Sequence, residues 1–144
     1  MSKGKYERKF REELENLGFL VIRGAGSLGI DLVAHYPGDE PIYIEHKATE
    51  QEKFNWSDKA EQFEELNEIS LLGFNVVTVV RWKKKTELHG TSELEKNFVF
   101  PFNEVDGLES RRTIEDYQAR KYPVLPFGEG IDSKTFLDNF TDKK

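Results

Sequence analysis

Two acidic residues and a lysine have the types and the spacing of a metal-dependent hydrolytic site. Asp31 closes a glycine-rich turn, and Glu45 and Lys47 follow at the end of the apolar run 42–44. Residues two apart on a strand project from the same face, so Glu45 and Lys47 would share a face if this run is a strand. The pattern Asp…Glu-x-Lys therefore predicts two carboxylates and an ammonium group presented by adjacent strands.

This combination of groups suits the hydrolysis of a phosphodiester bond in nucleic acid. Two nearby carboxylates repel each other when both are ionised, and a bound divalent cation relieves the repulsion. Their hard oxygen atoms suit Mg²⁺, with Mn²⁺ as an alternative. Such a cation lowers the pKa of bound water, while Lys47 would orient or help deprotonate the attacking water, or offset phosphate charge. A chain in which 33% of the residues are charged also produces such triads by chance.

The sequence predicts a unit of three strands that would carry these residues. The predicted strands are 19–22, 30–34 and 42–48, the first two antiparallel. The glycine-rich turn 24–29 links strand to strand and lacks the phosphate-loop pattern, so we expect no nucleotide cofactor. His46 would point away from Glu45 and Lys47 into the packing layer, as a core residue rather than a ligand.

Helical periodicity and a buried strand complete the expected fold. Apolar residues at helical spacing predict a helix over 3–17. Glu7 lies at the edge of its buried stripe, where its carboxylate either faces a cleft between helix and sheet or remains in solvent. The β-branched run 75–82 predicts a strand buried on both faces, and Pro101 places the last strand, 97–102, near a sheet edge. Further helices are expected over 57–72, 113–120 and 133–140. The order α-β-β-β-α-β-β indicates an α/β fold with a mixed central sheet flanked by helices.

Composition excludes several classes of protein. The chain has 144 residues, enough for one domain with a substantial core. It has no cysteine, so we expect neither a disulfide framework nor a thiolate metal site. We find no apolar run of membrane-spanning length and no apolar segment typical of a signal peptide. We therefore expect an intracellular protein with no membrane partner.

The net charge of −6 speaks against nucleic-acid binding, because neutralisation of phosphates drives such binding. The charge is, however, unevenly distributed. Residues 1–30 carry six Lys/Arg and four Glu, a net charge of +2, whereas residues 48–75 carry seven acids and two lysines, a net charge of −5. One basic and one acidic face would fit this distribution.

Five short motifs occur in one order within the first 47 residues. They are Lys3-Gly4…Glu7-Arg8, Gly18-Phe19, Arg23-Gly24-Ala25-Gly26-Ser27, Asp31-Leu32-Val33-Ala34 and Ile44-Glu45-His46-Lys47. This series resembles the archaeal-type Holliday junction resolvases (the Hjc family), homologues of which also occur in some viruses. The motifs match strongly over residues 3–49, more loosely to about residue 105, and not beyond.

The resemblance implies a homodimeric, Mg²⁺-dependent endonuclease with a restriction-endonuclease-like core. Such enzymes cut two opposing strands of a four-way DNA junction. By their positions in the motifs, the metal-binding carboxylates would be Glu7, Asp31 and Glu45, and the catalytic lysine would be Lys47. The expected DNA contacts are Lys3, Lys5, Arg8, Arg23 and Ser27.

The resemblance also divides the chain. Residues 1–105 would form the nuclease core, and residues 106–144 a C-terminal extension packed on the core or on the dimer interface. Phe63 would represent the family's aromatic dimer contacts, on a helix that is rich in glutamate. The alternatives are another nuclease of the same core, of restriction, repair or flap type, and a DNA-binding relative that has lost catalysis. We expect a cytoplasmic, nucleoid-associated location, in an archaeon or in the host of a virus.

Overall fold

The computed structural model of the chain describes residues 4–24, 30–83, 92–103 and 113–141. Within these ranges, none of the helices combines the length and the apolarity that crossing a membrane requires. Two of the predicted DNA contacts, Lys3 and Ser27, lie outside the described residues, as do residues 25–29 of the glycine-rich turn. The predicted boundary between core and extension also lies outside them, in residues 104–112.

Helices and strands make up most of the described chain. The α-helices are α1 (Lys5–Asn16), α2 (Ala60–Leu71) and α3 (Ser133–Thr141). The strands are β1 (Leu20–Arg23), β2 (Leu32–His35), β3 (Ile42–Thr49), β4 (Lys53–Asn55), β5 (Asn75–Trp82), β6 (Asn97–Pro101), β7 (Gln118–Ala119), β8 (Tyr122–Pro126) and β9 (Ile131–Asp132). Short 3-10 helices cover Trp56–Lys59, Leu94–Lys96 and Ile114–Tyr117.

Six strands form one mixed sheet in the order β1-β2-β3-β5-β6-β9. β3 and β5 are parallel, and the other neighbours are antiparallel. Because parallel neighbours need a crossover connection, α2 leads from the C-terminal end of β3 back to the start of β5. The first turn of α2 consequently lies near the end of β3 that carries Glu45 and Lys47. The predicted α/β fold with a mixed central sheet is confirmed.

Two hydrophobic clusters cover the two faces of this sheet. α1 and α3 supply Phe10, Leu14 and Leu137 to the first cluster, while Leu66 of α2 and Leu125 of β8 belong to the second. β5 contributes to both, as expected for a strand buried on both faces. Its alternating contributions are Val77 and Val79 to the first cluster and Val76 and Val80 to the second.

The expected helix over 113–120 is wrong. A single 3-10 turn begins at Thr113, which forms a reciprocal cap with Asp116, and Gln118 is already extended with φ −60° and ψ 126°. Arg120 has φ 61°, a left-handed conformation that suits the tight turn by which β7 folds back on β8. β8 then pairs with β4, so the tail builds a second sheet, β4-β8-β7, that the sequence did not predict.

The strand that contains Pro101 lies one position in from the sheet edge. β9 pairs with Phe98 and Val99 of β6 and forms the edge itself. Pro101 lies beyond this pairing, so its missing N–H removes no hydrogen bond to β9. Helix α3 follows β9 directly and agrees with the helix predicted over 133–140.

Candidate active site

The main-chain hydrogen bonds of the sheet fix Asp31 beside β3. The N–H of Asp31 donates to the carbonyl oxygen of Ile44 at 3.1 Å, and its own carbonyl oxygen accepts from the N–H of Gly24 at 2.7 Å. Its side-chain Oδ2 accepts from the N–H of His46 at 2.9 Å. These bonds hold the Asp31 carboxylate next to the strand that carries Glu45.

Gly24 allows the chain to pass close to the segment before Asp31. A Cβ atom at position 24 would collide with the carbonyl oxygen of Ile30, a main-chain atom that cannot rotate away. Glycine is therefore required here for steric reasons. Because Gly24 also binds the Asp31 carbonyl group, this requirement bears directly on the position of Asp31.

Glu45 and Lys47 project from the same face of β3 and form a buried ion pair. Lys47 Nζ lies 2.9 Å from Glu45 Oε2, and the two side chains are 14% and 3% exposed, respectively. The ring centroid of Trp56 lies 5.7 Å from the same ammonium nitrogen. The other carboxylate oxygen, Glu45 Oε1, is buried and has no hydrogen-bond partner among the described residues.

The electrostatics of Glu45 follow from this burial. Desolvation raises the pKa of Glu45 from 4.5 to about 7, and while the charge of Asp31 raises it further, the charge of Lys47 lowers it. One ammonium group thus does not compensate for the burial of Glu45 beside a second acidic group. A divalent cation would supply the missing positive charge.

The residues fit such a cation, because Glu45 Oε1 is a buried acceptor without a partner and carboxylate oxygens suit Mg²⁺ or Mn²⁺. Glu7 lines the same cleft as Asp31 and Glu45. Across the part of the chain that the structure describes, no group of three or more His, Cys, Asp or Glu side chains is placed to hold a metal ion. The structure therefore brings Asp31 and Glu45 together as a pair, and Glu7 lines the cleft from α1 without completing a three-ligand cluster.

The cleft has a volume of about 1140 Å³ and is lined by α1, the end of β3 and the start of α2. Lys59 and Lys83 also line it, although neither was predicted to contact DNA. Among the predicted DNA contacts, Lys5 is half-buried, and Arg8 and Arg23 are exposed. These three are not among the residues that line the cleft.

His46 is a buried residue of the opposite face, as the alternation along β3 predicted. Its ring packs against Phe10 with the centroids 5.3 Å apart, and its Nε2 lies 2.7 Å from Asn97 Oδ1. Burial lowers the pKa of His46 from 6.5 to about 4. The imidazole is therefore neutral near pH 7 and belongs to the core rather than to the acidic centre.

Gln62 is a member of the site that sequence reasoning missed. It lies in the first turn of α2, where its Nε2 donates to Glu45 Oε2 at 2.7 Å and its Oε1 accepts from Lys47 Nζ at 2.6 Å. No motif marks this residue. One signal was available, because Gln62 precedes the buried Leu66 by one helical turn and so lies towards the inner side of the helix.

Phe63, which the resemblance implied as an aromatic dimer contact, is almost fully buried within the subunit. Its side chain is buried in the second cluster, with its ring 5.6 Å from that of Trp56. The core-facing side of α2 thus uses this aromatic residue for packing. Large apolar side chains are instead exposed at the C-terminal end of α2, at Leu71, Leu72 and Phe74.

Comparison with known proteins gives matches at the level of sequence family, relative and fold. The family described as archaeal Holliday junction resolvase (Hjc) matches residues 2–122. A crossover junction endodeoxyribonuclease Hjc from Methanocaldococcus jannaschii is 45% identical over 49 residues, which are 34% of this chain and 36% of that protein. The aligned segment thus spans about a third of the length of this curated relative.

The structural match covers nearly the whole chain. The crystal structure of Hjc from Archaeoglobus fulgidus, a Holliday junction resolvase from an archaeal hyperthermophile, superposes with a TM-score of 0.63 and 19% identity, over 96% of this chain and 97% of that one. This likeness shows the restriction-endonuclease-like fold. The family match and the structural match both extend past residue 105, where the resemblance seen in the sequence motifs ends. Because the family match covers well over half of the sequence, the chain belongs to the archaeal Holliday junction resolvase (Hjc) family.

Proposed function

We propose that this protein is a Mg²⁺-dependent endodeoxyribonuclease that resolves four-way (Holliday) DNA junctions by hydrolysing one phosphodiester bond in each of two opposing strands. Family membership supports the substrate. The observation that carries the chemistry is the group formed by Asp31, Glu45 and Lys47. It combines a buried carboxylate oxygen, without a partner among the described residues, with an ammonium group 2.9 Å from the other oxygen and a second carboxylate immediately before β2.

In this proposal Asp31 and Glu45 would hold the cation, and Glu7, which lines the same cleft, would be a further ligand. A bound Mg²⁺ supplies Lewis-acid stabilisation of phosphate charge and a lowered pKa for water. Lys47 is held at the acidic centre by Glu45 and Gln62. From there its ammonium group orients the attacking water or offsets charge on the phosphate as the bond breaks.

DNA would contact basic residues of α1 and β1 as it approaches the cleft. We infer that Lys5, Arg8 and Arg23, together with Lys3 and Ser27, contact phosphates of the junction arms. Lys59 and Lys83 on the cleft wall are additional candidates. Such contacts neutralise phosphates and position the duplexes without reading their sequence.

A homodimer matches the two-fold symmetry of a four-way junction. The exposed side chains of Leu71, Leu72 and Phe74, with 76%, 76% and 46% of their surface accessible, support an interface at the C-terminal end of α2. The neighbouring glutamates of α2 would then form the polar rim of that interface.

Substrate preference tests this proposal. With Mg²⁺, the protein should cut a four-way junction much faster than linear duplex, a flap or single-stranded DNA of the same sequence, and it should leave paired, symmetric nicks. Equal cutting of linear duplex would indicate a nuclease of another type. Tight junction binding without any cleavage would indicate a relative that has lost catalysis.

A further inference from the structure

A single glutamine side chain connects the two residues of β3 that the proposed reaction uses. The Gln62 amide nitrogen donates to Glu45 Oε2 at 2.7 Å, and its amide oxygen accepts from Lys47 Nζ at 2.6 Å. Lys47 Nζ also lies 2.9 Å from that same Glu45 oxygen. A primary amide carries a donor and an acceptor on one rigid plane, so Gln62 can serve the carboxylate and the ammonium group together.

These contacts give the two oxygens of Glu45 different environments. Oε2 accepts from Gln62 and is paired with Lys47. Oε1 is buried and, among the described residues, has no hydrogen-bond partner. The amide therefore fixes the carboxylate plane through one oxygen and leaves the other oxygen as the one available to a cation.

The local structure holds Gln62 in place. The segment before α2 is ordered by the Asn55 side chain, which accepts from the N–H of Ser57 at 3.0 Å. Trp56 and Leu66 are fully buried on either side of Gln62 in the chain. Gln62 thus lies in a well-packed first turn of α2, from which its side chain reaches Glu45 and Lys47 of β3.

We propose that Gln62 is a positioning residue of the active site, which fixes Glu45 and Lys47 relative to each other and keeps Glu45 Oε1 free for the metal ion. This inference rests on the proposed function, since it assigns Glu45 to the metal and Lys47 to the phosphate. Side chains that orient metal ligands act through the geometry and basicity of those ligands. Gln62 would therefore influence metal affinity and the cleavage step, with no part in binding the DNA arms.

Two variants and one control test this role. Gln62→Met keeps the approximate size of the side chain and removes both hydrogen-bonding groups, whereas Gln62→Asn keeps the amide on a shorter arm that cannot reach both partners. The control variant, Gln51→Met, has the same glutamine-to-methionine replacement at an exposed position after β3. Each protein would be measured for thermal unfolding without metal, junction affinity in Ca²⁺, Mn²⁺ affinity by calorimetry, and single-turnover cleavage in Mg²⁺.

We expect both Gln62 variants to bind the junction as the parent does, and to lose about 10- to 100-fold in Mn²⁺ affinity and in cleavage rate. Gln51→Met should match the parent in all four measurements. Parental Mn²⁺ affinity and cleavage rate in both Gln62 variants would overturn the inference, and so would losses that merely follow a lowered melting temperature. If the parent binds Mn²⁺ but does not cut junctions, the proposed function fails while the Mn²⁺ affinities still decide the role of Gln62.

Discussion

At the scale of single residues, two neighbours on β3 have opposite pKa shifts with the same cause. Burial raises the pKa of Glu45 to about 7 and lowers the pKa of His46 to about 4, because it disfavours the charged form of each group. The alternation of the strand sends the two side chains to opposite faces. Asn97 satisfies His46, whereas Glu45 keeps an unpartnered oxygen. This difference is why we place the chemistry on the Glu45 face.

These two pKa shifts should have opposite effects on how the unfolding free energy of the metal-free protein depends on pH. Between pH 4.5 and 6.5, the folded state holds a Glu45 proton that the unfolded state releases, so this group makes stability fall as pH rises. The folded state also lacks a His46 proton that the unfolded state holds, so that group makes stability rise with pH. Each slope is about 1.4 kcal/mol per pH unit, and the two nearly cancel.

Replacing either Glu45 or His46 should leave only the pH dependence of stability that the other side chain causes. We expect Glu45→Gln to steepen the rise of the unfolding free energy with pH by about 1.4 kcal/mol per unit relative to the parent. His46→Gln should change the slope by a similar amount in the opposite direction. Urea denaturation across this pH window, without divalent metal, measures both. The same slope in all three proteins would show that these pKa shifts are absent.

At the scale of elements, the site depends on three chain segments that meet at one end of β3. Gly24 binds the main chain of Asp31, the strand itself presents Glu45 and Lys47, and the first turn of α2 supplies Gln62. Parallel pairing of β3 with β5 requires a crossover connection, and α2 is the helix of that connection.

Gly24→Ala tests the first of these segments. The added Cβ would collide with the Ile30 carbonyl and displace the main chain next to Asp31. We expect a loss of about 1–3 kcal/mol in unfolding free energy and, since small misplacements of reacting groups are costly, a fall in cleavage rate of up to about 100-fold. The control is Gly128→Ala, where φ is +88° and nothing lies within 4 Å of the new atom. It should cost about 1 kcal/mol of stability and leave cleavage unchanged. Parental cleavage by Gly24→Ala would mean that Gly24 does not set the position of Asp31.

Sequence patterns predicted the elements whose signal is local. The strand 75–82 and the helix ending near residue 72 follow from periodicity and a glycine stop, and both agree with the structure. The short strands did not follow, because β4, β7 and β9 have only three, two and two residues. Strands so short carry no periodicity, and Lys53 pairs with Pro126, a partner far away in the sequence.

The candidate site was likewise predictable only in part. Asp31, Glu45 and Lys47 carry a motif and come together in the structure. Gln62 carries none, since its role depends on its hydrogen bonds to Glu45 and Lys47 rather than on its neighbours in the chain. Phe63 is buried, whereas Leu71 and Leu72 at the C-terminal end of α2 are exposed. This difference also depends on which face of the helix packs against the core.

At the scale of the whole molecule, the net charge of −6 and the proposed DNA binding are compatible if the contacts are few and local. Among the described residues, Lys59 and Lys83 border the acidic centre, and Lys5, Arg8 and Arg23 lie outside the cleft. Phosphate contacts contribute to affinity individually, and each adds to the salt dependence of binding.

Arg23→Ala tests one of these contacts. If Arg23 binds a single phosphate, the variant should bind the junction more weakly, and the slope of log affinity against log salt should flatten by about one unit. Lys134→Ala removes a charge of the same sign from an exposed ion pair on α3 and should leave the slope unchanged. An unchanged slope in Arg23→Ala would remove this residue from the interface.

Two exposed apolar regions are candidates for the dimer interface, and substitutions distinguish between them. Leu71 and Leu72 lie at the end of α2, and Leu20 and Ile22 lie on the edge strand β1. We expect the double variant Leu71→Asp/Leu72→Asp to sediment as a monomer and to bind the junction more weakly, because these side chains would be buried between subunits. Leu20→Asp/Ile22→Asp, the matched control, should remain a dimer. A parent that sediments only as a monomer, with and without junction, would contradict the homodimer.

The most direct test of the proposed active site is cleavage of a four-way junction by Asp31→Asn. The substitution keeps the size of the side chain and removes its charge, so we expect cleavage in Mg²⁺ to fall by about 100-fold or more, while junction affinity in Ca²⁺ stays close to that of the parent. Asp138→Asn, on the exposed face of α3, should cut as the parent does. If Asp31→Asn cuts the junction as fast as the parent, the assignment of the active site is wrong.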